Sequence, residues 1–171
     1  RLAEARAAGY LLLVEGESDT QTLWYHGLPA LGIPGANIWQ PEWGECLAGL
    51  TVYVWKEPDT GGPPFVKNVG STLPDARIIE ASPGRKDISA CHVSGDDVPD
   101  LVRALCAKAR PYREILAQAQ SKKAEEAWKK AKPLLELPDV LAEVGRLFEA
   151  LGLVGEQRTA RLLYLALTSR L

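Results

Sequence analysis

Apolar residues come in short unbroken runs through the first hundred positions and at helical spacing beyond them. Residues 10–14 (YLLLV) are apolar at successive positions, as in a strand buried on both faces of a parallel sheet. A helix over about 19–26 follows, with Ser18 and Gln21 in a capping-box pattern and Gly27 as its stop. Residues 30–36 (ALGIPGA) give a second short strand ending in Pro-Gly. Residues 38–48 hold no clear pattern beyond a short helix interrupted by Pro41 and Gly44. Residues 51–55 (TVYVW), β-branched and aromatic, predict a third strand. Pro63 and Pro64 open a helix to about Leu73, and residues 76–81 (ARIIEA) predict a fourth strand. The segment SPGRKDISACHVSG is long enough for a functional loop. From residue 97 the pattern is helical, with Leu101, Val102, Leu105 and Cys106 on one face. The strongest helix follows Asp139 as cap, with Val140, Leu141, Val144, Leu147, Phe148 and Leu151 on one stripe and Gly152 at its end.

This order predicts an α/β domain over residues 1–110, with a mainly parallel four-stranded sheet flanked by helices. A helical extension over 111–171 completes the chain. The length of 171 residues suffices for one sizeable core. No apolar run is long enough to cross a bilayer, and the first ten residues lack a signal-peptide layout, so a cytoplasmic protein is expected. Cys46, Cys91 and Cys106 are odd in number and form no CxxC, which argues against a disulfide framework or a zinc ribbon. The chain begins with Arg and contains no Met, and its last residues continue an apolar helical pattern. A segment of a longer protein is the expectation.

Charge is unevenly spread. Residues 1–102 carry 7 Lys/Arg against 14 Asp/Glu, residues 103–132 carry 9 against 3, and the remainder carries 4 against 5. An acidic globule is thus joined to a basic helical stretch. Its acids gather where strands end: Glu15, Glu17 and Asp19 after the first, Glu57 and Asp59 after the third. Ligands of open parallel sheets bind beyond these carboxyl ends. If the two strands are neighbours, Glu15, Glu57 and Asp59 converge, and their repulsion calls for a cation or a shared proton. Oxygen ligands of this kind suit magnesium or manganese together with substrate phosphates, which points to phosphoryl transfer.

Plainer readings compete at each position. Glu15 alone could be a solvated acid favoured by a helix N-terminus. EPDTGG alone could be a turn. Gly16-Glu17-Ser18 lacks the second glycine of a nucleophile elbow, since Thr20 stands there, and a helix cap accounts for Ser18. His26 at a helix end fits an ordinary terminal histidine. The basic stretch SKKAEEAWKKAK offers Lys122, Lys123, Lys129 and Lys130 to phosphates and Trp128 for stacking. It equally fits a solvated helix with Glu125–Lys129 and Glu126–Lys130 pairs. Without GxxxxGK[ST], the segment has no P-loop.

The ordered set VEGESD, ALGIPGA, VYVWKEPDTGG and RKDIS, over roughly residues 9–108, resembles the Toprim domain of bacterial primases, topoisomerases and some nucleases. The likeness is greatest to primase-type Toprim domains of plasmid and phage replication proteins. It implies that Glu15 is the general acid or base of nucleotidyl transfer, and that Glu57 and Asp59 are ligands of Mg2+ or Mn2+. Asp19 matches a further acid. The first member of the usual aspartate pair is Glu here, which lengthens the reach without changing the charge. Related sequences often carry a second acid in the KDISAC segment, where this chain has Ala90. Lys86, Asp87, His92 and Lys67 are then candidate contacts to nucleotide or nucleic acid, along with Lys122, Lys123, Lys129 and Lys130. Partners implied are single-stranded DNA and nucleoside triphosphates. LVGEQRTARLLYLALTSRL resembles a connector preceding a helicase-type ATPase domain in the same longer chain. A metal-dependent nuclease and a non-catalytic docking module remain as alternatives.

Overall fold

The computed structural model describes residues 1–81, 84 and 87–169. It falls into two compact units, one from Arg1 to Ala119 and one from Gln120 onward. The first unit is α/β. Its sheet has five strands, β1 (Tyr10–Glu15), β2 (Ala30–Ile33), β3 (Thr51–Lys56), β4 (Arg77–Glu80) and β5 (Arg110–Pro111), in the order β2-β1-β3-β4-β5. The first four run parallel and β5 is antiparallel to β4. The sequence pattern predicts only four strands. The fifth is two residues long and holds Pro111, which has no N–H to donate and suits a sheet edge.

Side-chain alternation explains why β1 is apolar throughout. Leu11 and Leu13 enter one buried cluster, with Val52, Val54 and Ile78 of neighbouring strands. That layer is closed by Ala5 of α1 (Leu2–Ala8) and by Phe65, Val66 and Val69 of α4 (Gly62–Thr72). Leu12 and Val14 enter the opposite cluster, with Trp55 and Ile79. Leu23 of α2 (Glu17–Tyr25), Ile88 of α5 (Ile88–Val93), and Val98 and Val102 of α6 (Val98–Lys108) close that side. Each fully buried leucine, isoleucine or phenylalanine contributes about 1.5–3 kcal/mol, so two dry faces hold the short strands firmly. A short α3 (Trp43–Cys46) lies within the interval of weak pattern.

The capping box predicted at Ser18 does not form. Helix α2 begins two residues earlier, at Glu17, with Gly16 as its cap at φ 101°. A side chain at Gly16 would be strained in that left-handed conformation, which lets the chain turn sharply from β1 into the helix. Thr20 Oγ1 donates to Gly16 O at 2.8 Å, and its hydroxyl fills the space where a Cβ at Gly32 would stand.

Helix α7 (Tyr112–Leu135) is followed by α8 (Val140–Ala150) and α9 (Gln157–Thr168). Asp139 caps α8 as predicted, accepting the Ala142 N–H at 2.8 Å. Of the apolar stripe, Val144 is buried, whereas Leu147 and Leu151 are exposed. No helix among the described residues is long and apolar enough to cross a membrane.

Candidate functional site at the carboxyl ends of β1 and β3

From β1 the chain goes to β2 on one side, then crosses back to β3 on the other. That reversal opens a crevice beyond the carboxyl ends of β1 and β3, the general ligand position in such sheets. Glu15 is the last residue of β1, and the β3–α4 connection carries Glu57, Asp59, Gly61 and Gly62. Both helices that follow these strands start there, so two helix N-termini face the crevice and favour negative charge.

Glu15 and Asp59 meet around Gly61. A methyl group added at Gly61 would stand 3.1 Å from both carboxylate oxygens of Glu15 and 3.3 Å from Asp59 Oδ1. Asp59 Oδ1 accepts the N–H of Gly61 at 2.9 Å and of Gly62 at 3.3 Å, so α4 fixes its direction. Glu15 Oε2 is buried without a hydrogen-bond donor. Such an atom forfeits its hydration, typically at a cost of about 1–3 kcal/mol or more for a charged group, unless a ligand supplies a partner.

Gly62 allows the close approach on which this arrangement depends. A Cβ there would overlap the Glu57 carbonyl oxygen and lie 2.9 Å from the Glu57 carbonyl carbon. Glu57 itself is only 7% exposed. Two of the three expected acids thus share the space around Gly61, and Glu57 is set deeper. Among the described residues, no group of three or more His, Cys, Asp or Glu side chains is placed to hold a metal ion. The two carboxylates, with one orphaned oxygen between the strand ends, nevertheless fit a hard cation that takes one or two protein carboxylates and completes its shell with water and phosphate.

No family model matches the chain. Over 97 residues the chain is 35% identical to Gene 57 protein of Mycobacterium phage D29. The matched stretch covers 56% of this chain and 64% of that protein, so the chain spans slightly under two thirds of its relative's length.

The other acids and bases have structural attachments. Asp19 is 2% exposed and accepts both the backbone N–H and the hydroxyl of Ser89, at 2.9 and 2.8 Å, tying α2 to the start of α5. Burial pushes its carboxyl above the usual carboxylate range, against these two bonds, and the charge of Asp87 adds to the rise. Asp87 is the N-cap of α5 and accepts the Ala90 N–H at 2.7 Å. His92 faces His26, with Nδ1 of one ring 3.1 Å from Nε2 of the other. Lys67 is exposed on α4. Lys86 lies outside the described residues. Lys122, Lys123, Lys129 and Lys130 are exposed on α7 in the second unit, with Lys129 paired to Glu125 at 2.8 Å and Trp128 60% exposed.

Sequence reasoning missed three features. Lys56 at the end of β3 donates to both carboxylate oxygens of Glu80 at the end of β4, at 3.0 and 2.9 Å, which adds a cation to this edge of the sheet. Both residues end apolar strands, and that was the available signal. The Asp19–Ser89 tie and the histidine pair join positions 70 and 66 residues apart, for which a single sequence carries no sign.

Proposed function

We propose that this chain is a Toprim-type catalytic domain of primase class, which transfers nucleotides on a single-stranded DNA template with Mg2+ or Mn2+, within a longer replication protein. The observation that carries the reading is the pairing of Glu15 and Asp59 across Gly61 at the β1/β3 switch point, with Glu15 Oε2 buried and unsatisfied. The ordered sequence motifs and the parallel order of the first four strands support it.

Glu15 and Asp59 would hold the cation, with the buried Glu57 on the same β3–α4 connection as a further carboxylate. The bound cation supplies neutralisation of charge developing on phosphate oxygens. Glu15 Oε2, lacking a protein donor, can accept the proton of an attacking sugar hydroxyl. Asp59 is held in register by the Gly61 and Gly62 N–H groups while its charge faces the crevice. The N-termini of α2 and α4 orient phosphate groups toward the same space. Exposed Lys122, Lys123, Lys129 and Lys130, with Trp128, offer charge and a stacking face to single-stranded DNA.

Two measurements test this. Mn2+ titrated into the chain gives saturable binding that Asp59→Asn abolishes, and the full protein loses templated primer synthesis with Glu15→Gln. Unaltered synthesis in Glu15→Gln overturns the catalytic assignment. Cutting of single-stranded DNA without added nucleotides moves the same site to a nuclease. Loss of metal binding at millimolar Mn2+ in the unsubstituted chain, with DNA binding retained, makes it a docking module.

A further inference from the structure

Away from the acidic crevice, α2 and α5 bring the two histidines of the chain together. His26 caps the C-terminus of α2 and is half-buried, and His92 lies on the last turn of α5 and is exposed. Their nearest nitrogens, His26 Nε2 and His92 Nδ1, are 3.1 Å apart, and the ring planes cross at 74°. Ring centroids are 5.0 Å apart. That is shorter than rings aligned head-on at this nitrogen separation would give. The ring axes are therefore inclined to the N–N line; without a metal one ring nitrogen donates its hydrogen to the other, and a cation that takes both nitrogens releases that proton to solvent.

Metal–imidazole bonds are about 2.0–2.1 Å long, so nitrogens at this spacing subtend an angle of about 100° at a shared ion. This falls between the square and tetrahedral values. Imidazole nitrogen selects zinc, nickel or copper over magnesium and manganese, which prefer oxygen. Tyr25 lies against both rings, edge-on to His26 and tilted to His92, with centroids 5.1 and 5.5 Å away. Below them Thr22 Oγ1 and Ser89 Oγ stand 3.2 Å apart, bridging the same two helices.

We propose that His26 and His92 form a bidentate site for a borderline divalent cation, of zinc or nickel type, which clips α2 to α5. Its remaining coordination positions face solvent and take water. The clip joins residues 66 positions apart and closes over the Asp19–Ser89 tie. Occupancy would hold α5 and its Asp87 cap against α2. This is a site separate from the oxygen-rich one, and it does not depend on the reading of that one.

The test is a titration of the chain with Zn2+ or Ni2+ in the presence of excess Mg2+. A Cys46→Ser background removes the exposed thiol as a competing ligand. The expected result is one equivalent bound, with the imidazole C–H resonances of both histidines shifting on Zn2+ and broadening on Ni2+. His26→Ala and His92→Ala each lower affinity by about tenfold or more, and the double variant binds no more tightly than either single one. Resonances of only one histidine responding, or no response at millimolar metal, would overturn the proposal without any variant. Affinity unchanged in either single variant would overturn it as well.

Discussion

Replacing Gly62 by Ala is the sharpest probe of how the crevice is built. The added methyl would overlap the carbonyl oxygen of Glu57 and lie 2.9 and 3.0 Å from its carbonyl carbon and nitrogen. These are backbone atoms at the exit of β3, so relief requires a shift of α4 or of the strand end, not a rotamer change. Overpacking of this kind costs about 1–3 kcal/mol, partly offset by up to about 1 kcal/mol from the better helix propensity of Ala. A net loss of about 1–2 kcal/mol is expected. Gly61→Ala is the internal control. Its backbone is already right-handed helical, at φ −79° and ψ −37°, and its methyl would meet only the ends of the Glu15 and Asp59 side chains, at 3.1 and 3.3 Å. Stability within about 0.5 kcal/mol of the unsubstituted chain is expected there. Urea unfolding followed by tryptophan fluorescence measures both, in a Trp128→Phe background that leaves indoles only in the first unit. Equal midpoints for the two variants, at unchanged slope, would refute the claim that backbone approach at Gly62 shapes the site.

Two further outcomes follow from named groups. Asp19 has a raised folded-state pKa, so the stability it lends is present below its unfolded value of about 3.8 and is lost as pH rises through the folded value. Asp19→Asn keeps an acceptor for both Ser89 bonds without the buried charge; the stability of the unsubstituted chain relative to this variant should fall between pH 4 and neutrality, and a pH-independent difference in melting would contradict it. Asp139→Ala removes the acceptor of the Ala142 N–H and should cost α8 about 1 kcal/mol, read as faster amide exchange in its first turn.

The strands and the acids at their ends were legible because β1 and β3 are buried on both faces, which leaves an unbroken apolar run stopping on the first residue that reaches solvent. Helix α5 was not legible. Six residues are too few for a 3.6-residue period to declare itself, and they stand behind a Ser-Pro-Gly sequence that reads as loop. Strand β5 was hidden by its two residues and its proline. Ser18 failed as a cap because the choice is made by tertiary contacts: Thr20 and Asp19 must both turn inward, to Gly16 O and Ser89, and this sets the helix two residues early.

The same contacts separate acids that sequence spacing groups together. Glu15, Glu17 and Asp19 occupy five positions, yet an α-helix turns each successive residue by about 100°, so they cannot share one target once α2 begins. Glu15, still on the strand, is directed to the crevice, and Asp19, nearly a turn into the helix, is carried behind it to the N-terminus of α5. Asp59 reaches the crevice from a different strand because the order β2-β1-β3 sets the exit of β3 beside that of β1. A charge cluster in sequence is therefore a weaker guide than the reversal of strand order. Two carboxylates separated by 44 positions meet at Gly61, while one only four positions from Glu15 serves as a buried fastener. If the crevice takes a cation, its affinity should respond to Asp59→Asn and not to Asp19→Asn, although Asp19 is the closer of the two in sequence. Equal losses of Mn2+ affinity in both variants would mean that α2 and α5 transmit their packing to the site, and Asp19 would then belong to its support.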